Sequence, residues 1–178
     1  ASIDSYLSQS KSLRSLFLTL NDESVDIRML GVELLGRLAT RNPAYVLPAL
    51  RSHMLQLLSE LEYSSETMQR EESSKVMSVL IRSCPRLVAP YLSPIMRCLT
   101  SILRQEESSG TKGSGSRDGM KSASMSTVSK SVGAGSKASA SAKRNDITGR
   151  EKSAVLMTIG ELANVSGYEI KPFVQELL

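Results

Sequence analysis

Apolar residues recur along this chain at helical spacing. Ile27, Leu30, Leu34, Leu35 and Leu38 fall at i, i+3, i+7, i+8 and i+11, one stripe of a helix. The stripe itself repeats after 42 residues, since Asp26 to Leu50 aligns with Met68 to Leu92. Arg28 then falls on Arg70, Leu38 on Leu80, Pro43 on Pro85, Pro48 on Pro90 and Leu50 on Leu92. A third copy, EKSAVLMTIGELANVSGYEIKPFVQELL, comes late. Pro172 lies 82 residues after Pro90, so roughly 40 residues stand between the second and third copies. The pattern predicts helices over 3–20, 25–41, 44–61, 67–83, 86–104, 148–165 and 168–178, and no strand.

A period of this length with two helices per copy predicts an all-α solenoid of HEAT- or armadillo-type helical pairs. The predicted helices make three pairs and the first helix of a fourth. Residues 1–107 hold repeats 1 and 2 and the first helix of repeat 3. Residues 108–145 form an insert between the two helices of that third pair. Residues 146–178 hold its second helix and the first of repeat 4.

The columns of the alignment assign roles. Leu38, Leu80 and Leu162 form one apolar column, and Leu35, Met77 and Ile159 another. Gly36, Ser78 and Gly160 form a small-residue column, which predicts close approach of a neighbouring helix, since mid-helix glycine costs about 1 kcal/mol relative to Ala. Arg28, Arg70 and Lys152 form a basic column. Asp22 and Asp146 form an acidic one six residues earlier, with Ser64 in the second copy. These five charged residues are expected to build a structural ladder along the turns, with Asp22 reaching the N–H groups that open the next helix, or Arg28.

Composition changes the picture in one segment. From Ser108 to Asn145 there are twelve Ser and six Gly, with seven basic residues against one acid, a net +6. The rest of the chain carries −2, so the overall +4 comes from the insert. Such a segment is expected to be disordered, because it has too little apolar surface to offset its ordering entropy. Ser124, three residues after Lys121, is a candidate phosphorylation site in it. The near-neutral remainder argues against a nucleic-acid groove. No stretch is long and apolar enough to span a membrane, and no secretory signal opens the chain. The Ala start and the apolar helix pattern running to Leu178 suggest a piece of a longer protein.

Catalytic chemistry has no foothold. Cys84 and Cys98 lack CxxC or His partners, which predicts two free thiols in a reducing compartment. His53, the only histidine, is expected as a boundary residue on its helix. GSGSRDG at 113–119 lacks the spacing of a dinucleotide loop and follows no strand, and no P-loop, HRD, DFG or HExxH is present. The segment is therefore expected to have no catalytic, metal or cofactor site.

Particular strings carry a more specific likeness. DIRMLGVELLGRLATRNPAYVLPALRSHMLQLLSELEYS resembles the amino-terminal HEAT region of the target-of-rapamycin (TOR) kinases, and PRLVAPYLSPIMRCL and TIGELANVSGYEIKPFVQELL resemble the parts that follow, in the same order. The resemblance implies a scaffold segment of a large serine/threonine protein kinase in nutrient-responsive growth signalling. It implies a distant catalytic domain holding ATP and Mg, and none of these here. It also implies protein partners: adaptors of the Raptor or Rictor kind, neighbouring HEAT repeats and a second protomer. A cytoplasmic location follows, with endomembrane surfaces reached through partners. The alternatives are a HEAT adaptor of another class, such as a transport receptor or phosphatase scaffold, and a nucleic-acid module built on the basic insert.

Overall fold

In the computed structural model the described residues are 3–109 and 136–177. Among them there is no strand, and the chain is an all-α solenoid. The helices are α1 (Ile3–Leu7), α2 (Ser10–Leu18), α3 (Val25–Ala39), α4 (Pro43–Tyr63), α5 (Thr67–Ser83), α6 (Pro85–Val88), α7 (Leu92–Ser109), α8 (Ser136–Ser166) and α9 (Lys171–Leu177). Helix α5 lies between α3 and α8 and packs on both, and these three make one layer. Helix α4 packs on α3, α5 and α7, and α7 reaches α8 and α9, which makes the second layer. The apolar core fills the space between the layers.

Leu38, Leu80 and Leu162 are each fully buried, so the 42-residue register places equivalent leucines in equivalent surroundings. The stripe expected on α3 is split, however. Leu35 and Leu38 are buried, whereas Leu30 is 66% exposed and Ile27 42%. Helix α3 is covered on more than one side, by α4, by α5 and by the 3-10 turn Thr19–Asn21. Its buried arc is therefore Gly31, Val32, Leu35, Gly36, Leu38 and Ala39, wider than one stripe and rotated away from Ile27 and Leu30.

Three expected helices are interrupted. The 3–20 segment breaks between α1 and α2, where Gln9 is extended and the Ser8 hydroxyl donates to the Ser5 carbonyl at 3.0 Å. The 86–104 segment breaks at the 3-10 turn Ala89–Tyr91, which contains Pro90 and so lacks one N–H. The last segment opens with the 3-10 turn Gly167–Ile170, where Gly167 takes φ +54°, a conformation that suits glycine. Pro48, in the same column as Pro90, stays inside α4 without breaking it.

Helix α8 begins well before the expected position 148. Ser136–Asn145, assigned to the disordered insert on composition, is helical backbone. This stretch contains Ala and Lys and neither Gly nor Pro, so it can propagate a helix. Ser108 and Ser109, also counted in the insert, close α7. The remainder of the insert, 110–135, lies outside the described residues, as does Ser124.

Candidate functional site

The charged columns meet at two seams in the α3–α5–α8 layer. At the first, Arg28 on α3 donates through Nη2 to Glu72 Oε2 on α5 at 2.6 Å. At the second, Arg70 on α5 donates through Nε to Glu151 Oε1 on α8. Arg70 also gives Nη1 to the Ser64 carbonyl at 2.9 Å, holding the turn between α4 and α5. The basic column thus bridges each layer helix to the next. Its partners are glutamates on the following helix, not the aspartates of the preceding turn.

Of the two partners expected for Asp22, the structure shows a backbone N–H and not Arg28. Asp22 Oδ1 accepts the Ser24 N–H at 2.9 Å. In the second copy, 42 residues later, Ser64 Oγ accepts the Glu66 N–H at 3.2 Å. Both are side-chain turns that close the corner before a layer helix, which Asp and Ser can both make. Asp22 and Arg28 are not paired with each other. Asp146 falls inside α8 instead of in a turn, and its side chain lies outside the described residues. Lys152 is half-buried on α8 beside Glu151.

Sequence reasoning missed Glu72, Glu151 and the hydroxyl pair at the second seam. Ser74 Oγ lies 2.9 Å from Thr158 Oγ1, which also reaches the Ser74 carbonyl at 2.9 Å and the Ala154 carbonyl at 2.8 Å. Both side chains are fully buried. Glu72 stands two residues after its basic column and Glu151 one before, three positions apart in register. They occupy the same helix face one turn apart, a relation that column-by-column alignment hides.

His53 is buried on α4, not at a boundary, and its Nε2 has no partner. Burial holds its pKa below the ordinary value, Glu60 opposes this and Arg28 adds to it. Cys84 and Cys98 are buried and free. Burial raises both thiols, and with Glu62 nearby pushes Cys98 up to about 11, so neither is a ready thiolate. Among the described residues no group of three or more His, Cys, Asp or Glu is placed to hold a metal ion, and no helix is long and apolar enough to cross a membrane.

One concave feature of about 660 Å³ lies between α3 and α5, lined by Leu30, Glu33, Leu34, Arg37, Arg82 and Ser83, and two others adjoin each other over α4 and α6. A groove of about 750 Å³ is lined by Pro43, Leu47, Pro48, Arg51, Leu55 and Leu87, among others. A second of about 550 Å³ shares Pro43, Leu47 and Leu87 with it and continues to Ala39, Thr40, Pro85 and Arg86. Arg51 sits over the Tyr91 ring, 5.5 Å from its centroid. The arrangement offers an apolar, arginine-rimmed trough and no reactive constellation of general base and nucleophile.

No protein-family model matches the chain. Among curated proteins it is 37% identical over 175 residues to the serine/threonine-protein kinase TOR of Arabidopsis thaliana, an alignment covering 98% of this chain. It is 36% identical over 177 residues to the protein of the same name in Oryza sativa subsp. japonica, covering 99% of this chain. It is 44% identical over 105 residues to the serine/threonine-protein kinase mTor of Drosophila melanogaster, covering 59% of this chain. The chain spans only 6% of the length of each plant relative and 4% of the fly protein. The likeness recurs in kinases so named from plant to animal, and on it the chain belongs, as one short segment, to the TOR family.

Proposed function

We propose that this chain is a non-catalytic HEAT-repeat scaffold segment of a TOR-type serine/threonine protein kinase. Its parent would carry the ATP- and Mg-dependent kinase domain elsewhere and act in nutrient-responsive growth signalling in the cytoplasm, reaching endomembranes through partners. The segment's role is to hold its place in a longer stack and to dock adaptors of the Raptor or Rictor kind. The observation that carries this is homology to TOR proteins across nearly the whole chain, joined to a layered stack. Bridges such as Arg70 to Glu151 tie the neighbouring layer helices α5 and α8 together. Solenoid stacks present extended surfaces for binding.

The test uses the parent kinase with residues 3–177 removed. Phosphorylation of a peptide substrate by its kinase domain should persist, while co-purification with at least one adaptor is lost. Undiminished capture of every adaptor would overturn the docking role. Loss of intrinsic peptide phosphorylation would assign the segment a part in catalysis.

A further inference from the structure

Two adjoining grooves run over the corner where α4 meets α6, and we infer that this trough docks an acidic, apolar-anchored peptide segment of a partner protein. The inference rests on the scaffold role proposed above and adds the chemistry of the partner. The floor is apolar, built from Pro43, Leu47, Pro48, Leu55 and Leu87. Together the two grooves hold volumes of about 750 and 550 Å³, room for a few anchoring side chains. Leu55 is 44% exposed, unlike the buried leucines on the opposite face of the same helix.

The charge at the rim selects the occupant. Every charged residue lining either groove is an arginine, Arg51 or Arg86. Neither is in an ion pair with a described residue. Arg51 is held over Tyr91, which restrains its guanidinium and lowers the entropic cost of meeting a carboxylate. Carboxylates next to apolar anchors complement this rim, since guanidinium binds carboxylate through paired N–H donors.

The backbone supplies a further contact. Pro48 cannot give the N–H that the Ala44 carbonyl takes in an uninterrupted helix, and both residues line the groove. A peptide N–H can meet that acceptor. Pro43 and Pro85 occupy the first positions of α4 and α6 and stiffen the walls, so the trough is formed before binding. The chain's own insert is a poor occupant, having seven basic residues and one acid. A second copy docking face to face would set arginines against arginines.

A random-peptide display library panned on the full chain tests this. Enriched peptides should combine Asp or Glu with Leu, Ile or Phe. Their binding, read by fluorescence anisotropy, should weaken at least about tenfold in Arg51→Glu/Arg86→Glu. Peptides with the acids changed to Lys should bind that variant better than the original chain. Both arginines are exposed, so the variant should keep its circular dichroism and melting transition. Enrichment without carboxylates, or binding indifferent to the charge reversal, would overturn the inference. So would concentration-dependent self-association abolished by the same reversal, which would make the occupant a second copy. Peptide selection reads the trough alone, and adaptor co-purification reads the scaffold role alone, so the two fail separately.

Discussion

The α3–α5 and α5–α8 seams use the same column of the repeat but bury it to different depths. At the first, the side chains of Arg28 and Glu72 retain 19% and 34% of their exposure. At the second, Arg70 retains 16% and Glu151 none. The second seam adds the buried Ser74–Thr158 pair, which lets α5 and α8 approach through small polar side chains. The first adds Gly36, where a built Cβ would stand 2.6 Å from Ser83 Cβ and 3.3 Å from Cys84 Sγ. One repeat pattern therefore yields a half-open ion pair against a glycine contact, and a closed ion pair against a hydroxyl contact. Register assigns which residue faces the neighbouring helix, and the neighbour's own side chains decide how much that residue contributes.

Breaking the ion pairs one at a time gives the largest contrast. Glu151→Ala leaves Arg70, among the described residues, with the Ser64 carbonyl in a largely dry seam, and should destabilise the chain by about 3–5 kcal/mol. Glu72→Ala removes a partner that water can partly replace, and should cost about 1 kcal/mol or less. Urea unfolding of the two variants checks the difference. Equal losses would mean that the two seams are equally hydrated, against the exposures above.

The glycines come next. Gly36→Ala must push Ser83 or shift α5, an overpacking cost of about 1–3 kcal/mol, offset by about 1 kcal/mol of helix propensity. A net loss near 1 kcal/mol is expected. At Gly160, in the same column, nothing lies within 4 Å of the added carbon. Gly160→Ala should therefore stabilise by up to about 1 kcal/mol. Melting curves showing the same sign for both would erase the distinction between a packed and an open member of the column.

This pair also marks how far the sequence was legible. The spacing of Leu38, Leu80 and Leu162 was enough to place them in the core, because apolar period and burial are directly linked. The small-residue column suggested close approach at both glycines, but contact depends on a neighbour that a column cannot name. The charged columns were read as one ladder in which Asp22 meets the N–H groups that open the next helix, or Arg28; the structure gives Asp22 the Ser24 N–H and pairs Arg28 with Glu72 and Arg70 with Glu151. Glu72 and Glu151 escaped because helices pair by faces that recur one turn away. The trough on α4 and α6 was invisible for the same reason. Pro43 and Leu47 come from one copy and Leu87 from the next, and they meet only when the copies stack.

The smallest expected effect comes from His53 on α4, which lies within electrostatic reach of Arg28 at the first seam. It is the only histidine, so no equivalent group titrates at the second seam. Desolvation lowers its folded pKa, Glu60 opposes and Arg28 adds, so the folded chain keeps the ring neutral where the unfolded chain begins to protonate it. The unfolded state then binds more protons as pH falls through its ordinary value of about 6.5. Stability contributed by the neutral ring is complete above that value and declines below it. Melting temperatures measured from pH 8 down to about 5.5, above the range where ordinary carboxylates titrate, should fall in the wild-type chain. They should fall less in His53→Leu, which keeps a similar volume without a titrating group. Parallel slopes in the two chains would show that His53 is hydrated in the folded state, and would leave the first seam with no pH response to separate it from the second.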